Sequence, residues 1–291
     1  MEQSIAVIGG DARYLELIRQ LQALPNSTIV LVGFDRLEQS FTGLKQSEFN
    51  ELKPAELDVV ILPITGTDEF GNIETVFSDQ PIQLTESWFE ELNKSAIIFT
   101  GMANSYLKEL AKNAGVQLVP LLNRDDVAIY NSIPTAEGAI MMAIEHTDYT
   151  IHSSNVVVTG FGRVGHTIAN KFSRLGANVS VASRSLSDLA RITEMNLKAI
   201  PLEELPTHLD DCDLLINTIP ALVIKQEAIE RLPAHTWIID LASKPGGTEF
   251  QFAEKRGIKA ILAKSLPGVV APRTAGKILA NVIIQILKEG A

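Results

Sequence analysis

The sequence predicts an α/β protein built of two doubly wound parallel-sheet domains with a cleft between them. Two observations predict this class. Short β-branched runs alternate with helical patterns through both halves of the chain, the signature of βαβ units and a parallel sheet. At 291 residues the chain is also long enough for two separate cores.

In the first half, residues 4–9 read as a buried strand, followed by Gly10-Asp11 and a helix to about Leu24. Further strands are expected at 29–33, 58–63, 96–101 and 116–119, with a helix from about Asn104 to Asn113. Gly9 and Gly10 suit a tight turn, but no third glycine completes a dinucleotide fingerprint. Asp11 fits a helix N-cap. Arg13 then falls in the first helical turn, at the sheet edge where open α/β sheets bind ligands; it is either a carboxylate ligand or a surface arginine. Residues 64–82 form a long loop with its own turns, as active-site covers and interaction surfaces often do.

Asn123–Asp126 and Asn131–Gly138 lie at the junction of the halves. Pro134 suits the first turn of a helix that continues through Ala139–Ile144. Asn131, Thr135 and Glu137 place polar groups at its start, either to receive a substrate carboxylate or simply to cap a linker helix.

The second half holds the strongest motif, Gly160-Phe161-Gly162-Arg163-Val164-Gly165, between a strand ending at Thr159 and an amphipathic helix pattern from His166 to Leu175. In that context Gly160 permits the turn, Gly162 lets a pyrophosphate approach, and Gly165 lets helix and strand pack closely. Both domains are therefore expected to be Rossmann-like. The next strand, 177–182, runs into Ser183-Arg184-Ser185 about 20 residues on, where an NAD site usually carries an acid. Two hydroxyls and a guanidinium suit a 2′-phosphate instead, which favours NADP. Strands at 212–217 and 235–241, and a last one near 258–263, end in loops at the same edge. Thr218, Ile219 and Pro220, with Asp240 and Ala242, are expected beside the nicotinamide half of the cofactor. Ser243 and Lys244 are candidates for substrate contact, and Lys244 also offers a proton-transfer group, unless it is only a solvated turn lysine. Residues 266–276 lead into a last helix from about Lys277 to Lys288, whose apolar stripe is expected to pack. The expected domains are 1–130 (substrate and catalysis), a bridging helix at 131–149, 150–270 (NADP binding), and a helix at 271–291 returning to the first domain.

Composition narrows the partners. The balance of 25 basic and 35 acidic residues, net −10, argues against nucleic acid. A single cysteine, Cys212, rules out an internal disulfide, and its place at a strand start suggests a buried thiol rather than a nucleophile. Zinc-type Cys/His spacing, a signal peptide and a membrane span are all absent from the pattern, so a cytoplasmic protein without a metal is expected.

Gly9-Gly10-Asp11 with Arg13, the Arg124-Asp125-Asp126 turn, Asn131 followed by Pro134–Ala139, the glycine fingerprint, and Leu266-Pro267-Gly268 through Ala271-Pro272 together resemble the A-subunit family of bacterial dipicolinate synthase over nearly the whole chain. That resemblance implies oxidation of a cyclic dicarboxylate, a dihydrodipicolinate-level intermediate of the lysine pathway, with hydride passing to NADP⁺. It also implies a flavoprotein-like partner, the B subunit, together with contacts between like chains and the mother cell of a sporulating bacterium. For the two substrate carboxylates, Arg13, Arg124, Thr135, Ser243, Lys244 and Arg273 are the candidates. None of the five histidines falls in a motif, so Lys244 and a bound water stand equal as base. Two other readings remain open: an NADP-dependent reductase of another keto or imino acid, and a nucleotide-binding regulator of a catalytic partner.

Overall fold

The computed structural model of the chain describes residues 3–37 and 44–289. The first sheet-forming stretch runs β1 (Gln3–Ile8), α1 (Ala12–Leu21), β2 (Ser27–Val32), β3 (Lys45–Gln46), β4 (Val59–Ile61), β5 (Asn72–Ile73), β6 (Ile82–Gln83), α2 (Glu86–Glu90), β7 (Ile97–Thr100), α3 (Ser105–Ala114) and β8 (Gln117–Pro120). A long helix α4 (Asp125–His146) follows. The second stretch runs β9 (Asn155–Thr159), α5 (Arg163–Arg174), β10 (Asn178–Ser183), α6 (Leu186–Glu194), β11 (Lys198–Pro201), β12 (Leu214–Asn217), α7 (Gln226–Arg231), β13 (Trp237–Asp240), α8 (Phe250–Lys255) and β14 (Lys259–Leu262). Two helices, α9 (Leu266–Val270) and α10 (Pro272–Glu289), complete it.

The chain divides into two compact units, residues 1–128 with 271–291, and residues 129–270. Each holds a six-stranded parallel sheet, ordered β3-β2-β1-β4-β7-β8 in the first and β11-β10-β9-β12-β13-β14 in the second. Both repeat the 3-2-1-4-5-6 order of dinucleotide-binding sheets, with the reversal of direction beside β1 and beside β9. The strands read as unbroken apolar runs because both faces are covered. Along β1, Ile5 and Val7 pack on one face with α1 and α10, while Ala6 and Ile8 pack on the other with α2 and α3. Along β9, Val156 and Val158 join one cluster and Val157 the opposite one.

Within the first unit α10 lies on α1, where a Cβ at Gly276 would collide with the carbonyl oxygen of Arg13. Glycine is needed there for close approach of two helices. In the second unit Gly138 of α4 plays the same part against Leu266 and Val270.

Two boundaries differ from expectation. The helix expected at 131–149 begins at Asp125, so Pro134 stands inside it rather than in its first turn. Asp125 and Asp126 supply acid at the positive end, a start signal as good as proline. Pro134 has no N–H to give the Tyr130 carbonyl four residues back; on either side of that carbonyl Ser132 donates to the Ile129 carbonyl at 2.6 Å and Thr135 to the Asn131 carbonyl at 2.8 Å. The last helix begins at Pro272, not near Lys277, with proline in the first turn where its absent donor costs nothing. Cys212 is fully buried two residues before β12, and burial pushes its thiol pKa far above the ordinary range. No helix among the described residues is long and apolar enough to cross a membrane.

Candidate functional site

The turn between β9 and α5 is built by its glycines in three ways. Gly160 has φ +93°, in the left-handed region, and a Cβ on it would press on the Thr218 hydroxyl and Ile219. Gly165 backs onto the Gly160 carbonyl so closely that any side chain would collide. Gly162 has ordinary extended backbone, and nothing lies within 4 Å of where its Cβ would stand. No side chain caps α5, so the N–H groups of its first turn face that open space. An uncapped helix start behind an open glycine is a ready anion site. Phe161 packs its ring 5.2 Å from that of His166, Val164 joins the core of the unit, and Arg163 is exposed in the first turn.

The corresponding turn of the first sheet is closed by the chain itself. Segment 73–77 lies across Gly9 and Gly10: the Gly10 amide donates to the Glu74 carbonyl, the Val76 amide to the Gly10 carbonyl, and Thr75 bridges to Gly10. The space left open at Gly162 in the second unit is filled by protein in the first.

Beside the open turn, the loops after β12 and β13 are fixed by a buried polar chain. Thr159 donates to Asn217 Oδ1 at 2.6 Å, and Asn217 Nδ2 donates to Asp240 Oδ1 at 2.9 Å. Asp240 also accepts from the Ala242 amide (3.0 Å), the Gly247 amide (2.8 Å) and the Thr248 hydroxyl (2.7 Å). Thr159, Asn217 and Asp240 are wholly buried. Asp240, expected as a cofactor contact, is therefore corrected to a positioning residue: four donors occupy its carboxylate and none of it faces solvent. Asn217, Thr159 and Thr248 were not expected at all, because a strand-end amide carries no motif. Thr218 donates to the Thr159 carbonyl at 2.8 Å, and the Ile219 amide donates to Asn217 Oδ1 at 3.0 Å, which sets both residues against Gly160. Pro220 follows, exposed, while Ala242 is buried.

At the end of β10, Ser183 is buried and donates to Asp188 Oδ2 at 2.8 Å. Ser185 caps α6 by accepting from the Asp188 amide at 3.3 Å. Arg184 is exposed and makes no ion pair or hydrogen bond among the described residues. An arginine fork held out at this strand end matches a 2′-phosphate in geometry and charge.

The substrate candidates divide between the units. Arg13, Arg124 and Arg273 belong to the first; Thr135, Ser243 and Lys244 belong to the second. Arg13 is buried and forks onto Asp11, its Nε lying 2.9 and 3.0 Å from the two carboxylate oxygens. Asp11 also caps α1 as expected, accepting from the Arg13 amide. Burial alone would raise the Asp11 pKa, but the Arg13 bonds and charge outweigh it and hold the carboxyl below its usual range. Arg124 forks onto Asp126 at 3.0 and 2.9 Å, which lowers the Asp126 carboxyl in the same way. Arg273 extends into solvent with its Nε 3.5 Å from Glu16. Thr135 spends its hydroxyl on α4, and Ser243 and Lys244 stand exposed in the loop after β13. Lys264, two residues past β14, was not singled out from the sequence and lies beside Lys244.

The chain matches the family model for the N-terminal domain of the dipicolinate synthase A subunit over residues 4–122, and that for the alanine dehydrogenase/PNT C-terminal domain over residues 134–291. It is 51% identical to the A subunit of dipicolinate synthase from Bacillus subtilis (strain 168) over 285 residues, 98% of this chain and 96% of that one. The crystal structure of the A subunit of dipicolinate synthase from Bacillus halodurans superposes with a TM-score of 0.95 at 49% identity, covering 99% of this chain and 98% of that one. A more distant relative, the shikimate dehydrogenase (NADP(+)) of Staphylococcus epidermidis, is 29% identical over 113 residues, 37% of this chain and 42% of that one. With an open dinucleotide cradle in its second unit and these matches along nearly its whole length, the chain belongs to the A-subunit family of dipicolinate synthase, joined to a C-terminal domain of the dehydrogenase type.

Proposed function

We propose that the chain is an NADP-dependent dehydrogenase that oxidises dihydrodipicolinate to dipicolinate, working with a flavoprotein-like B subunit in the cytoplasm of a spore-forming mother cell. The observation that carries the reading is the pairing of an open, uncapped Gly162 turn with an unpaired Arg184 at the next strand end. A pyrophosphate fits the first and a 2′-phosphate the second. The distant shikimate dehydrogenase relative, whose name specifies NADP(+), supports the same choice.

The NADP⁺ that these residues would hold would supply the acceptor for a hydride from the substrate ring, one proton would leave to solvent or a basic group, and the ring would become aromatic. The protein's own work is alignment. Gly160, Gly162 and the α5 amides seat the diphosphate, and Arg184 neutralises the extra phosphate. The Thr159–Asn217–Asp240 chain fixes the loops at Thr218, Ile219 and Ala242 that flank the reacting end. Substrate carboxylates fall to Thr135, Ser243 and Lys244 in this unit, with Arg13, Arg124 and Arg273 of the first unit as the remaining candidates.

The deciding experiment follows absorbance at the NADPH band with purified chain, NADP⁺ and enzymatically generated dihydrodipicolinate, with and without the B subunit. Reduction by the chain alone establishes it as the dehydrogenase, and reduction only with both makes the complex the active unit. No reduction in either case refutes the reading in favour of another keto or imino acid substrate or of a regulatory role.

A further inference from the structure

Arg13, Arg124 and Arg273 each have a carboxylate to meet, and Arg184 has the cofactor's extra phosphate; Lys244 and Lys264 have neither. The two lysines follow adjacent parallel strands, with Asp240 of β13 paired to Leu262 of β14 and the Ala263 amide donating to the Asp240 carbonyl. The loop after β13 folds over that junction, bringing Gly246 against Leu262. The two lysines thus stand at one corner of the sheet edge, near enough for the charge of Lys244 to act on Lys264. Neither forms an ion pair or a hydrogen bond with an acid among the described residues, although the chain has 35 acidic residues.

Two like charges held at one corner repel, and both groups are donors. An anion bound between them offsets that repulsion. Its place fits a substrate rather than the cofactor's phosphates. At about 4.8 Å between strands, the ends of β13 and β14 stand about 10 and 14 Å from the glycine turn at the end of β9. That is the far side of the nicotinamide half, where a ring undergoing hydride removal has to lie.

We propose that Lys264 and Lys244 together form the anchor for one carboxylate of the substrate, making this corner a site for a ring dicarboxylate. This rests on the function proposed above and names a residue, Lys264, that it lacked. Partial desolvation, and after it the charge of Lys244, hold Lys264 below the ordinary lysine range, as a cation awaiting its counter-charge must be.

The test uses the full chain loaded with NADP⁺ and titrates dipicolinate and pyridine-2-carboxylate by calorimetry. Lys264→Met and Lys244→Met are each expected to weaken dipicolinate about tenfold to a hundredfold, the range for losing a charged hydrogen bond. They also erase most of the preference for the dicarboxylate, while Lys264→Arg retains it and NADP⁺ affinity stays within about twofold. The double variant should lose less than the sum of the two, since both hold one group. Turnover by the wild-type chain is measured alongside, with its B subunit present. If wild-type turns over but Lys264→Met binds dipicolinate and its substrate as tightly, the anchor is refuted and the dehydrogenase reading stands. If wild-type neither turns over nor binds dipicolinate, both fall.

Discussion

Ser183 holds the carboxylate of Asp188 by a 2.8 Å hydrogen bond and leaves Arg184, the residue between strand and helix cap, without an acidic neighbour to pair with. An acid at this strand end normally takes the ribose 2′-hydroxyl of NAD, and here the nearby acid is occupied. Arg184→Asp should raise the KM for NADP⁺ by about tenfold to a hundredfold, the scale of a lost charge-assisted hydrogen bond, and change that for NAD⁺ little. Ser183→Ala, which releases Asp188, should move the two constants in the same direction by a smaller factor. Steady-state kinetics with both cofactors decides; equal effects on both cofactors would remove the 2′-phosphate assignment.

The three glycines of the turn make separable predictions. Gly162→Val puts its Cβ where no atom lies within 4 Å and keeps an allowed backbone, so the fold should survive with thermal stability near wild-type while NADP⁺ affinity drops by about a hundredfold or more. Gly165→Ala drives a methyl into the Gly160 carbonyl and should lower stability by about 3 kcal/mol or more. Retained nucleotide binding in a folded Gly162→Val protein is the result that refutes the cradle.

Ten strand positions, both glycine turns and the Asp11 cap were legible in the sequence because each rests on local rules: apolar runs, φ > 0, and a side-chain acceptor at a helix start; β3, β5, β6 and β11, only two to four residues long, were not. The start of α4 was not, since Asp125 and Pro134 are both sound start signals and only packing chooses between them. The role of Asp240 was hidden for a different reason. An acid at a strand end looks the same in sequence whether it faces a ligand or gathers four donors, and those donors come from β12 and from residues up to eight positions further on. Lys264 was missed because a lysine after the last strand has no motif; its meaning comes from Lys244 on the neighbouring strand end.

The Asp240 cluster predicts a cost in loop geometry as well as stability. Asp240→Asn turns one acceptor into a donor facing a backbone N–H or the Asn217 amide, which leaves a buried clash of donors. The expected loss is about 2 kcal/mol, or about 5 °C in Tm. Calorimetric unfolding checks the stability, and NADP⁺ titration should show weaker binding although residue 240 touches no solvent. A variant with unchanged Tm would show that the four donors find other partners.

Asp11 and Arg13 give the pH-dependent prediction. The folded Asp11 carboxyl titrates below its unfolded counterpart, so the pair's stabilisation is fully present above the unfolded value of about 4 and is lost as pH falls through the lower folded value. Removing the charge leaves a buried guanidinium, 7% exposed, without its partner, while Asp11 itself is one-third open to water at 33%. The expected cost of Asp11→Asn is therefore about 1–2 kcal/mol at pH 7, toward the low end for a buried pair. Denaturant unfolding of wild-type and variant from pH 7 down to pH 3 should show the gap constant to about pH 4.5 and narrowing below it. Because Asn still accepts from the Arg13 amide and keeps the helix cap, a gap that stays constant to pH 3 would show that the ion pair is not its source.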